Sequence, residues 1–360
     1  MITARTELSR DEGPTGVHTL TGWGTGAIRE IADVVRRIEP DILHLQYQTG
    51  AFGMSPVING LPLLLRTAGV RTPFVTTFHD MRAPYLLPKA GVLRSSAVHL
   101  LMGSSRASIF TDPDDLERAH PRRLCAWVPI APNVRPTGAP NRAKARRRLG
   151  LATGDSVIAF YGFLNSSKGV DTLLRAAARL ICTDVQLRLM FVGEASGASD
   201  PTNDDTGRRA DRLAESLGLV DRIVTTGPLP HAKLSEALSA ADLAVLPYTD
   251  GASLRRGSLL TCFAHGLPVV TTRPRQAATL RSEALVAPFW EPTSLQIDDS
   301  VASLVPAGDD AAVARAIFRL LNDPSAARAL GSRAQAFVEP LQWPSVAEAT
   351  IEVYRRVLFA

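Results

Sequence analysis

Cysteine is scarce in this 360-residue chain, and aromatic residues make up only 6% of it. Cys125, Cys182 and Cys262 are odd in number, far apart and each set in an apolar stretch. That excludes a disulfide framework and predicts buried thiols in a reducing compartment. No run of about 18 apolar residues occurs, so no membrane-spanning helix is expected. The opening segment "MITARTELSRDEGPTG" lacks the apolar stretch of a secretory signal. The seven histidines include no pair at zinc-ligand spacing. Neither a Gly-x-Ser-x-Gly elbow nor a complete GxxxxGK[ST] loop is present. A soluble, cytoplasmic chain with no metal and no cofactor is the expectation.

What is present is apolar bulk in a βα rhythm. With 45% hydrophobic residues the chain can bury a large core, and its length predicts two domains. A formal charge of +5 suggests anionic ligands, although the excess is too small and dispersed to predict nucleic acid binding. Arg146, Arg147 and Arg148 read as a solvated helix face.

In the first part, "AIREIADVVRRIEP" sets Ile28, Ile31, Ala32, Val35 and Ile38 on one helical face and stops at Pro40. Strands are predicted in "DILHLQY", "TPFVTTFH", "ASIFTD" and "RLCAWVPI", with helices near 57–68 and 90–102. The segment "GWGTGA" precedes a helix as a phosphate loop would, but no convincing strand precedes it, and a helix-entry turn is the reading. Asp112-Pro113-Asp114 has the spacing of a cation site, yet Asp112 reads better as a helix N-cap with Pro113 at the first position.

A Pro/Gly-rich linker follows "APNV". Then "SVIAFYGF", "LRLMFVG", "RIVTTG", "LAVLPY" and "LPVVTT" alternate with helical segments as a second, complete doubly wound domain, and three helices end the chain. The predicted fold class is α/β, two doubly wound Rossmann-like domains, the first incomplete. Residues 1–135 form the N-terminal domain, 136–342 the C-terminal one, and 343–360 a helix crossing back.

Two βα junctions of the second domain share a design. "YGFLNSSKGVD" leaves a strand at Gly162 and opens a helix at Lys168-Gly169, and "PYTDGASLRRGSLL" turns at Gly251 and opens another near Ser253 to Ser258. Helix N-termini at the carboxyl edge of one sheet, with Lys168, Arg255 and Arg256, suit a diphosphate.

The ordered succession of "VTTFHD", "IAPNV", "FYGFLNSSKGVDTLLRAAARL", "FVGEASG", "LSAADLAVLPYTDG" and "LLTCFAHGLPVVTT" resembles the family 4 glycosyltransferases over about residues 27–360. The resemblance implies a GT-B architecture and a retaining, metal-independent transfer from a nucleotide-sugar to a glycan, lipid-linked or small-molecule acceptor, with the donor held between the domains. It makes Lys168 the diphosphate-binding lysine, Gly162 the glycine of its loop, and His79, beside Asp80, the histidine facing the transferred sugar. The remaining donor-site candidates are Asp250, Gly251, Ser253, Arg255, Arg256, Gly257, Ser258 and Thr261.

The sequence departs from the family pattern in three places. Ser253 and Thr261 stand where two glutamates are usual, Phe163 replaces an arginine that Arg255 or Arg256 could stand in for, and the first βα units are not evident. Asp250 is near enough in sequence to substitute for the first glutamate. A catalytically inactive nucleotide-binding relative and a GT-B sugar-nucleotide epimerase are the alternatives. The net charge also allows peripheral contact with the inner face of a membrane.

Overall fold

The computed structural model describes residues 2–4, 18–81, 91–138, 141–181, 186–193, 202–275, 290 and 295–359. The chain divides into two compact units, Met1–Pro129 with Ala278–Trp290 and Ala347–Ala360, and Ile130–Ala277 with Glu291–Val346.

In the first unit, β1 (Ile2–Ala4) and β2 (His18–Leu20) pair in parallel. They are followed by α1 (Gly26–Ile38), β3 (Leu43–Tyr47), α2 (Val57–Thr67), β4 (Phe74–Phe78), α3 (Gly91–Ser104), β5 (Ala107–Phe110), α4 (Pro113–Ala119) and β6 (Leu124–Trp127). Among the described residues β3, β4, β5 and β6 form a parallel sheet in chain order, and every residue of β4 and β5 is buried. Strand β2 corrects the sequence reading of "GWGTGA", which does have a strand before it. That strand is three residues long, too short for an alternation pattern to register. Helix α1 buries Ala27, Ile31, Ala32, Val34 and Val35 and ends where Glu39 adopts a left-handed φ of 49° and donates its N–H to Val35 O. Ile38 was expected on the buried face but is 62% exposed in the helix's last position. Asp112 caps α4, its carboxylate accepting from the N–H of Asp114 at 3.0 Å, as expected.

The second unit contains α5 (Arg142–Arg148), β7 (Ser156–Tyr161), α6 (Val170–Ile181), β8 (Leu187–Val192), α7 (Thr202–Ser216), β9 (Ile223–Thr225), α8 (His231–Ser239), β10 (Leu243–Leu246), α9 (Gly257–Ala264), β11 (Val269–Thr272), β12 (Ser303–Val305), α10 (Asp310–Asn322) and α11 (Pro324–Val338). Helix α12 (Trp343–Leu358) begins in this unit and ends in the first. The sheet is parallel, in the order β12-β11-β10-β7-β8-β9. Chain order reverses between β7 and β10, so the loops leaving those two strands diverge around a switch point, where open α/β sheets bind ligands.

Residues 130–135 belong with this second unit and not, as the sequence suggested, with the first. The Arg135 guanidinium donates to the carbonyls of Val338 at 3.0 Å and Leu341 at 2.8 Å, which anchors the segment there. The basic run in α5 also differs from expectation. Arg146 is buried, donating to Ala240 O and Thr153 O and pairing with Asp242 at 2.8 Å. Asp242 in turn accepts from the N–H of Val157 on β7 at 2.7 Å. An arginine so satisfied can lie against the sheet at little desolvation cost. Cys125 and Cys262 are buried, whereas Cys182 lies outside the described residues.

Helix α11 crosses α9 so closely that a Cβ on Gly331 would overlap the carbonyl oxygen of Gly266. Alanine within a helix gains about 1 kcal/mol over glycine, but forcing these backbones apart costs about 2–3 kcal/mol, and the overlap wins. Gly331→Ala is therefore expected to lower the urea midpoint of the second unit, with an unchanged m-value.

Candidate functional site

The loop after β7 is built around two glycines. Gly162 has φ 123°, and a Cβ there would stand 3.5 Å from Lys168 Nζ and 3.6 Å from Ser258 Cβ. Asn165 then caps a single 3-10 turn, Ser166–Lys168, its side-chain oxygen accepting from Ser167 N at 3.1 Å and Ser167 Oγ at 2.7 Å. Gly169, at φ 67°, starts α6 against the backbone of Pro247, where any Cβ would overlap the Pro247 carbonyl oxygen. The two switch-point loops are thereby in contact, and Thr249 N donates to Ser167 O at 3.0 Å.

The second loop turns at Gly251, φ 88°, where a Cβ would meet Arg273 O at 2.7 Å. It enters α9 at Gly257, where a Cβ would stand 2.6 Å from the side-chain amide nitrogen of Asn133, so that a larger residue there would require Asn133 to shift. Side chains from both loops converge. Lys168 Nζ donates to Ser258 Oγ at 3.0 Å, and the hydroxyls of Ser258 and Tyr248 are 2.9 Å apart. The fully buried Tyr248 ring carries two cations, with Lys168 Nζ 5.0 Å and Arg256 Cζ 4.6 Å from its centroid. Asp250 pairs with Arg256 and, at 3.3 Å, with Arg255. Arg256 Nη1 also points at Ser167 Oγ, 3.4 Å away.

Lys168, Arg255 and Arg256 are thus gathered near Asp250. Burial, and then the neighbouring Arg256, bring the Lys168 ammonium down to about 8, an effect Asp250 only partly offsets. The Tyr248 phenol is driven up by burial, and burial pushes the Cys262 thiol on α9 up to about 12, so it stays protonated. Arg256 Nε and Ser253 Oγ are buried without a hydrogen-bond partner. Thr261 lies a turn into α9 and is fully buried, and Phe163 is half exposed. The candidates Gly162, Lys168, Asp250, Arg255, Arg256, Gly257 and Ser258 therefore come together, Gly251 shapes their loop, and Ser253 and Thr261 make no polar contact with them. Sequence reasoning missed Tyr248, Asn165 and Ser167. Their position directly after strand ends at a switch point was the available signal.

His79 and Asp80 lie in the first unit, at the carboxyl end of β4. His79 N donates to Tyr47 O at 2.9 Å, and its Nε2 is 2.8 Å from Gln46 Oε1. Burial lowers the His79 imidazole below its ordinary value, opposed by Asp80. Thr49 donates to the Tyr47 hydroxyl at 3.0 Å and stands 3.5 Å from Asp80 Oδ1.

The depressed Lys168 carries a stability cost with a definite sign. Between about 8 and 10.5 the unfolded chain holds a proton that the folded chain has lost. The cost of burying the charge is therefore full below pH 8 and is relieved as pH rises towards 10.5. At about 1.4 kcal/mol per unit this reaches roughly 3 kcal/mol. Lys168 keeps partial contact with solvent, and its loss also removes the bond to Ser258, worth about 1 kcal/mol. Lys168→Met is expected to stabilise the ligand-free protein by on the order of 1 kcal/mol at pH 7, and the gain should vanish near pH 10, read as the difference between paired denaturation curves.

Residues 155–323 match the family described as Glycosyl transferases group 1. The chain is 31% identical over 222 residues to D-inositol 3-phosphate glycosyltransferase of Nocardia farcinica, covering 61% of this chain and 44% of that one. It is 30% identical over 250 residues to the protein of that name in Kineococcus radiotolerans, covering 68% and 54%. It spans about half the length of these relatives. Among solved structures, Anabaena HepE in complex with UDP and glucose superposes with a TM-score of 0.71 at 18% identity, covering 95% of this chain and 85% of that one. Sucrose-phosphate synthase from Thermosynechococcus elongatus does so at 0.68 and 22%, covering 92% and 77%. Residues 155–323 are thus a domain of the glycosyl transferases group 1 family, in a chain with the two-sheet α/β fold of GT-B glycosyltransferases.

Proposed function

We propose that the chain is a retaining, metal-independent glycosyltransferase that moves a sugar from a nucleotide-sugar to a carbohydrate or lipid-linked acceptor. The observation that carries this reading is the convergence of Lys168 and Arg256 on Tyr248 and Ser258 at the N-terminus of α9, at the switch point. A diphosphate is the anion such a pair of cations beside a helix N-terminus suits. Lys168, Arg256 and the first amides of α9 would hold the leaving phosphate and stabilise the negative charge that grows on it as the sugar C1–oxygen bond breaks. The acceptor oxygen would form its bond to C1 on the same face, and its proton would pass to the departing phosphate oxygen. No separate protein base is then required, and His79 and Asp80 would line the reacting face.

The replacement of both glutamates, by Ser253 and by the fully buried Thr261, favours a second reading in which the chain binds a nucleotide without turning it over. Since HepE is described in complex with UDP and glucose, and the relatives are named for D-inositol 3-phosphate, UDP-glucose and inositol 3-phosphate are the first donor and acceptor to offer. Weak contact with an anionic membrane face is a further proposal, resting on the +5 charge.

Thermal unfolding with a panel of nucleoside diphosphates and nucleotide-sugars tests the donor site. At a hundredfold excess over Kd, binding stabilises by about 2.7 kcal/mol, a shift of roughly 5 °C or more. The shift should vanish in the Lys168→Ala, Arg255→Ala, Arg256→Ala variant. No shift with any nucleotide overturns the donor assignment, whereas a shift without sugar transfer selects the second reading.

A further inference from the structure

A second polar cluster occupies the carboxyl edge of the first unit's sheet. Gln46 on β3 is the register partner of Thr77 on β4, and His44 lies two residues earlier on β3, on the same face as Gln46. The Gln46 amide reaches both ways. Its oxygen meets His79 Nε2 at 2.8 Å, and its nitrogen sits 3.2 Å from His44 Nε2 and 3.4 Å from His44 Nδ1. Those near-equal distances place the amide nitrogen across the ring, in line with neither ring nitrogen. The in-plane positions of His44 are taken by Thr77 Oγ1, 2.8 Å from Nε2, and by the Tyr354 hydroxyl at Nδ1. Tyr354 comes from α12, and its ring meets that of His44 edge-on with centroids 5.5 Å apart.

Each link constrains the next. The face of a neutral imidazole accepts an N–H, whereas an imidazolium repels it. Burial, and then His79, bring His44 down to about 4, so its ring is neutral near pH 7. The amide is therefore held with its NH2 towards His44 and its oxygen towards His79. A carbonyl oxygen only accepts, so His79 Nε2 must carry the proton, leaving the lone pair of the neutral ring on Nδ1. Gln46 is exposed, and with either end released its amide would rotate.

The geometry points to Gln46 as a positioning residue that fixes His79 in its Nε2–H tautomer, with His44 and Tyr354 holding the amide in the required orientation. The inference rests on the reading of His79 as the group that faces the transferred sugar. It adds that the ring presents a hydrogen-bond acceptor, and so suits a sugar hydroxyl that donates.

Ring-nitrogen NMR of the full chain with 15N-labelled histidine, free of ligand at neutral pH and assigned through His79→Asn, reads the tautomer directly. The expected result is a protonated Nε2 and an unprotonated Nδ1 at His79. In Gln46→Leu both signals should move towards the values of a tautomer mixture. Gln46→Glu keeps an accepting oxygen and should restore the Nε2–H form while raising the His79 pKa by about one unit. A mixture in the unaltered protein, or a Gln46→Leu spectrum identical to it, overturns the inference. If Gln46→Leu does not fold, the Gln46→Glu spectrum decides, because an unmoved His79 pKa there overturns it as well. Failure of this test with the nucleotide-induced thermal shift intact removes the tautomer lock and leaves the donor site standing.

Discussion

The approach of Gly169 to the carbonyl of Pro247 is the constraint on which the second unit's polar cluster depends. No side chain fits between them, so the loops leaving β7 and β10 can touch only because residue 169 has no Cβ. That contact brings Lys168 beneath Ser258 and Tyr248, and it lets Ser167 accept from Thr249 while facing Arg256. The reversal of strand order supplies the crevice, and the glycine brings its two walls within hydrogen-bonding reach.

Electrostatics then give the cluster its character. Asp250 is the internal counter-ion of both arginines. It offsets part of the positive charge of the ligand-free site, where a buried cation left without a counter-ion is costly to desolvate. The ammonium of Lys168 is still depressed, first by its burial and then by Arg256, and Asp250 offsets this only in part. The first unit solves a different problem, because its edge holds two imidazoles close together without repulsion by keeping His44 uncharged.

Much of this was legible in the sequence. The alternation from "SVIAFYGF" to "LPVVTT" marks β7 to β11, and Ser-Lys-Gly and Arg-Arg-Gly patterns after strands mark both loops, because strand ends and glycine turns are local signals. Strands β1, β2 and β12 were not legible, since each has three residues and lies outside the regular strand–helix alternation that revealed the equally short β9. Arg146 was misread because a run of arginines looks solvated until Asp242 and three backbone carbonyls are seen to receive it. The link from Tyr354 through His44 and Gln46 to His79 lay beyond reach for another reason. It joins residues 310 positions apart through register and helix docking, which no single segment encodes.

Among the described residues, the six-stranded sheet of the second unit ends on both sides in strands of only three residues, β12 and β9. An unpaired edge is a template on which another chain can add a strand, and its danger grows with its length. Three residues span about 10 Å, which aligns too few backbone donors and acceptors to offset the entropy of joining two molecules. The larger of the two main sheets is thereby kept from serving as a seed for self-association, by brevity at its margins.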